Sequence, residues 1–65
     1  MDNETRARLI AEHDELVDRV LKLTTFVRTG KFAGLVVAER VDLIEQLGLM
    51  RSYLTVLGRR IVRSG

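Results

Sequence analysis

Glu39, Gln46, Tyr53 and Arg60 recur at intervals of seven residues, and three of them carry groups that recognise a nucleotide. A phenol ring offers a stacking surface, a carboxamide matches the donor and acceptor edge of a base, and a guanidinium forks onto a phosphate. Gln46, Tyr53 and Arg60 are therefore candidate ligand-binding residues, and Arg51 joins them as a nearby cation. The same spacing places the series beside an apolar seam, where polar flanks choose partner and register in a coiled coil. Both roles stay open from the sequence.

A second chemical possibility lies in Arg28-Thr-Gly-Lys-Phe-Ala-Gly-Leu-Val-Val37, with two glycines and two cations in ten positions. A Walker loop needs GxxxxGK[ST] between strand and helix, because consecutive backbone N–H groups must wrap the phosphates. Here Gly30-Lys31 stands alone and helical patterning precedes it. Its glycines serve a chain reversal, with Gly30 expected as a left-handed helix cap. Lys31 and Arg28 remain candidate anion ligands near the start of the next helix, where free N–H groups and Arg40 add to the positive potential.

Other chemistries find no support in these residues. There is no cysteine, and His13 is the only histidine, so neither a thiol nucleophile nor a closed zinc site can be assembled. Glu12-His13-Asp14-Glu15 distributes its members around a helix instead of converging them. No catalytic residue, metal or cofactor is expected, and the chain reads as a binding protein, not an enzyme. His13 reads as a packed histidine in a leucine seam. Sequence-specific DNA binding is disfavoured, since two long helices leave no short recognition helix.

The elements that must position these residues are helical. Proline is absent, and Leu9, His13, Leu16, Val20, Leu23 and Val27 are spaced alternately by four and three. Leu43, Leu47, Met50, Leu54, Leu57 and Ile61 repeat that pattern, so each half carries a heptad seam. The spacing predicts a single helical-hairpin domain over 1–65: a helix over about 4–28 capped by Asp2 or Asn3, a reversal over about 29–36, and a helix over about 37–63. A reversal centred near residues 32 and 33 sets residue i opposite roughly 65 minus i, which brings His13 level with Tyr53 and Arg6 with Arg59 and Arg60.

Charge is divided unevenly along this hairpin. Residues 1–27 hold six acids and four bases, and the rest of the chain holds seven bases and three acids. Beyond Glu45 there are four arginines and no acid. Those arginines either balance the acidic first helix and the helix dipole or receive an anionic partner. The helical glycines Gly48 and Gly58 raise a similar choice between close helix packing and close ligand approach.

Size demands a partner. Sixty-five residues with 46% hydrophobic content expose more apolar surface than one hairpin covers, and no disulfide is available, so self-association into a homo-oligomeric all-α bundle is expected. The longest apolar run, residues 32–38, is far below the roughly 20 residues that span a bilayer. No secretory signal is visible at the N-terminus. A soluble cytoplasmic protein without membrane contact is the expectation.

One further pattern is more specific than the leucine spacing. Glu15-Leu16, Lys22-Leu23-x-x-Phe26, Lys31-Phe32-x-x-Leu35, Glu39-Arg40 and Gln46-Leu47-x-x-Met50-x-x-Tyr53-x-x-x-Leu57-x-x-Arg60-Ile61 together resemble a family of short phage-encoded helical proteins, crAss-like phages among their sources. Residues 12–61 carry the resemblance. The chain departs from it where Leu35-Val36-Val37 stand in place of a serine or acid that caps the second helix. In size and class it is also similar to phage sponge proteins that sequester immune nucleotide signals, although it lacks tryptophan and their Arg-Thr-x-Leu-Gln-x-Gly-Phe-Met pattern. The resemblance implies a phage or prophage protein acting in the host bacterial cytoplasm, with a cyclic nucleotide or ADP-ribose-type signal as its partner. The alternative partner is a host protein, docked on a helical face around Val36, Val37, Val41 and Ile44.

Overall fold

The computed structural model describes residues 2–65. It contains α1 (Asn3–Phe26), a single helical turn α2 (Gly30–Ala33) and α3 (Val37–Ser64). α1 and α3 pack side by side as an antiparallel hairpin about 46 Å long. No strand occurs among the described residues.

Local sequence accounts for the helix ends. Asp2 caps α1 by accepting the Thr5 N–H at 2.7 Å, which satisfies one of the free donors of the first turn. At the other end the amides of Arg28 and Thr29 bond to the carbonyls three residues back, at 3.2 and 3.0 Å. This tightening closes the helix without a left-handed residue. No glycine of the described chain has positive φ, so the expected role of Gly30 is corrected: it is the first residue of α2. Thr29 supplies the break, accepting the Phe32 N–H at 3.3 Å while its hydroxyl donates to the Phe26 carbonyl at 2.7 Å. α3 starts at Val37, with Val36 at the N-cap position supplying no side-chain cap. The half-buried Arg40 instead donates its Nε–H to the Leu35 carbonyl at 3.1 Å, tying the reversal to α3.

Two bonds across the hairpin define its register. The Tyr53 hydroxyl donates to the Glu12 carboxylate, and Arg51 Nη2 donates to Thr24 Oγ1 at 3.2 Å. Tyr53 and Arg51 lie within one turn of α3, yet they reach toward opposite ends of α1. The register lies between them, with residue i facing roughly 70 minus i, about 7 Å from the expected alignment. The extra turn α2 explains the shift. Packed beside the start of α3, with Phe32, Val37, Arg40, Val41 and Ile44 around one hollow, it lets α3 extend past the end of α1.

In this register the six seam residues of α1 fall level with the six of α3, from Leu9 beside Ile61 to Val27 beside Leu43. His13 is level with Leu57, not with Tyr53. Burial follows the same line: Leu9, Leu16, Val20, Leu47 and Leu57 form the core, flanked by Leu23, Val27, Met50, Leu54 and Ile61. Among the described residues Leu57 alone is completely covered. Every residue of the core lies on a heptad seam.

Candidate ligand-binding groove

An antiparallel helix pair has two flanks, and this hairpin builds them differently. On one flank the positions beside the seams are Glu12, Arg19 and Phe26 in α1 and Gln46, Tyr53 and Arg60 in α3. On the other are Val17 and Thr24 in α1 and Ile44, Arg51 and Gly58 in α3. The Glu12–Tyr53 and Thr24–Arg51 bonds close the two flanks separately.

The first flank holds an open groove of about 500 Å3, lined by Leu16, Arg19, Lys22, Leu23, Phe26, Gln46 and Met50. Its floor consists of seam side chains, Leu16 buried and Leu23 and Met50 half-buried. Phe26 is held edge-on to Phe32, with ring centroids 6.1 Å apart and planes at 83°, so the reversal fixes one wall of the groove. Gln46 reaches only the Met50 sulfur, at 3.8 Å, a weak acceptor that leaves most of the amide's capacity unused. Arg19 has no carboxylate within ion-pair distance among the described residues. Lys22 lies 2.9 Å from Asp18, but both side chains are exposed, where such a pair contributes little.

Each residue singled out from the sequence can now be placed. Gln46 lines the groove. Tyr53 and Arg60 continue the same stripe toward the open end of the hairpin, beyond the groove lining. The Tyr53 phenol is pushed above its ordinary pKa, first by its hydrogen bond to Glu12, with burial and the Glu12 charge adding, while the Arg60 charge acts in the opposite sense. Arg51 lies on the other flank, bonded to Thr24. Lys31 sits in α2 and Arg28 in the turn before it, both exposed. The structure therefore brings Gln46, Tyr53 and Arg60 onto one side and leaves Arg51, Lys31 and Arg28 elsewhere.

Taken singly, Arg19, Lys22 and Phe26 do not stand out in the sequence, where nothing sets them apart from the flank of an ordinary amphipathic helix. The signal was present: in an antiparallel pair like flanks face each other, so the partners of Gln46 and Tyr53 belong to the corresponding stripe of α1.

The arginines beyond Glu45 do not balance the acids of α1. Arg51, Arg59, Arg60 and Arg63 have no carboxylate within ion-pair distance among the described residues; the pairs that form are Arg8 with Glu4 at 2.7 Å, Lys22 with Asp18, and a 3.4 Å contact between His13 and Asp14. All are within α1. Of the two roles open to the C-terminal arginines, direct ion pairing with the acids of α1 is not formed within the single chain among the described residues. No helix among the described residues is long and apolar enough to cross a membrane, and none of their His, Asp and Glu side chains form a group of three able to hold a metal ion.

No curated protein and no solved structure matches the chain. A family model described as Sequestin matches residues 3–63, covering all three helices, the groove and both flanks. With nearly its whole length matched, the chain belongs to the Sequestin family.

Proposed function

We propose that this protein sequesters an anionic nucleotide signal without transforming it, as an anti-defence sponge of a phage or prophage. The carrying observation is the groove beside Gln46. Its floor of Leu16, Leu23, Phe26 and Met50 suits the flat apolar face of a base, and Gln46 offers donor and acceptor at its rim. Arg19 and Lys22 stand on the same edge to receive phosphate. Tyr53 and Arg60 extend the recognition stripe toward a second phosphate or ribose. Self-association of the hairpin multiplies such sites, and the family's name points to retention of a partner. Cyclic oligonucleotides and ADP-ribose derivatives share the required chemistry.

Native mass spectrometry of protein purified from a bacterium that makes immune nucleotide signals tests this directly. Retention of one nucleotide mass per groove is expected, with loss of that mass in Arg19→Ala and Gln46→Ala. A clean protein that also fails to bind a panel of cyclic nucleotides and ADP-ribose derivatives in calorimetry overturns it.

A second reading rests on a different surface. Val36, Val37, Val41 and Ile44 are 74%, 64%, 57% and 51% exposed, and an apolar hollow of about 330 Å3 lies among the last three and Phe32. That end of the hairpin suits a host protein docked by its own apolar side chains. Retention of one host protein on tagged wild type, abolished by Val41→Asp and indifferent to Arg19→Ala, distinguishes it.

A further inference from the structure

The flank opposite the groove is a helix-docking face with no occupant in the single chain. Along α3 the positions Val37, Val41, Ile44, Gly48, Arg51, Thr55, Gly58 and Val62 repeat at intervals of four and three, which makes a second seam. A Cβ built on Gly48 or Gly58 meets nothing within 4 Å, so neither glycine is there to accommodate α1. A hollow of about 510 Å3 lies beside Gly58, between Thr55 and Val62. From α1, Leu21, which is 61% exposed, joins the same face.

Area and charge identify what covers it. A folded monomer of 7.4 kDa exposes about 4,200 Å2 on average, whereas this chain exposes 4850 Å2. The excess is roughly 650 Å2, close to the ~800 Å2 that each partner of a stable interface buries. Along its middle the face bears one acid, Asp14, whose side chain is 73% exposed, and one base, Arg51, while Arg59 and Arg63 border the hollow beside Gly58. Arg51 reaches away from Asp14, toward Thr24, so the two charges are not satisfied by each other within one chain. A two-fold rotation presents the acid and the base of one copy to the facing copy, so that Asp14 can meet Arg51 across the axis.

From these features we infer that a second copy of this chain docks here, face to face, to form a four-helix bundle in which Gly48 and Gly58 admit the partner helix closely and Asp14 of one copy faces Arg51 of the other. The grooves beside Gln46 then lie on the two outer flanks of the bundle, both open. This assignment removes Arg51 from the ligand-binding set and makes it an interface residue. It goes beyond the sequestration reading and does not depend on any ligand.

Sedimentation equilibrium of the full chain tests the assignment. Wild type is expected at the mass of two chains, and Gly48→Glu at the mass of one, with its helical circular dichroism retained. Asp14→Arg and Arg51→Asp each weaken association by about tenfold or more, and the double exchange Asp14→Arg/Arg51→Asp recovers most of the loss. A wild type that stays one chain at millimolar concentration overturns the inference. An assembly of any size unaltered by Gly48→Glu and by both single charge reversals does so too, because it places the contact elsewhere. Calorimetry with a nucleotide bound by wild type separates the two proposals: a Gly48→Glu chain that is monomeric and still binds supports this face and leaves the groove reading intact, whereas unaltered assembly with binding intact overturns this face alone.

Discussion

The Tyr53 hydroxyl of α3 donates to the Glu12 carboxylate of α1, joining residues that occupy the same flanking position on the two seams. The bond closes the groove flank on the side of the open hairpin end and holds Tyr53 beside Arg60. It also makes the phenol a reporter, because Tyr53 is the only tyrosine and there is no tryptophan.

Tyrosinate absorbance should therefore follow one group, titrating above the ordinary tyrosine value of about 10. Glu12→Gln removes the charged acceptor, the first cause of the shift, and brings the titration down. For this raised acid the stabilising contribution is complete below the unfolded-state pKa and is lost as pH rises through the folded one. Alkaline melting curves should show wild type losing that margin and Glu12→Gln lacking it throughout. An unchanged titration in Glu12→Gln refutes the role given to this bond.

Asp2 behaves in the opposite sense. Its carboxylate accepts hydrogen bonds from Thr5, which lower its pKa below the usual value of 3.8. The contribution of this cap is present above that value and is lost as pH falls through the lower folded pKa. The protection factor of the Thr5 amide, its exchange measured against the intrinsic rate at each pH, should fall on acidification through this window. Asp2→Asn, which keeps a capping oxygen but cannot ionise, should remove the acid dependence at Thr5.

Leu57 is the one completely covered side chain among the described residues. Leu57→Ala should cost about 2–5 kcal/mol, a large part of the stability of so small a fold. Thermal melts followed by circular dichroism check this, with Leu49→Ala as the contrast. Leu49 is 64% exposed and its truncation should shift the midpoint little.

Arg40 holds the reversal through its bond to the Leu35 carbonyl. Arg40→Ala should destabilise the hairpin by about 1–2 kcal/mol, and Arg40→Lys should restore only part, because a lysine ammonium lacks the planar Nε–H that makes this contact. Hydrogen exchange over residues 30–37 should rise in both variants while the centre of α1 stays protected. Equal protection at residues 30–37 in wild type and Arg40→Ala removes the claim.

Much of this architecture was legible before folding. Spacing by four and three marked both seams, and every core residue lies on one of them. The absence of proline left no internal break, and Asp2 marked the start of α1. The candidate site was legible only by half. Gln46, Tyr53 and Arg60 stood out because polar residues on a seam flank are few, whereas Arg19, Lys22 and Phe26 look like ordinary members of an amphipathic helix until their opposite numbers are known.

What the amino-acid sequence determined by itself was local: which residues are helical, which stripe of each helix is apolar, and where the chain turns back. Those properties follow from periodicity, capping and backbone propensity within a few residues. The tertiary structure alone decided the register, since Thr29 and the turn at Gly30–Ala33 displace the reversal and slide α3 along α1. That displacement moved Gln46 from the level of Arg19 toward Leu23 and Thr24, and His13 from the level of Tyr53 to that of Leu57. Pairing between distant residues depends on how two rigid helices are offset, and a change of a few residues in a short loop sets that offset for their whole length.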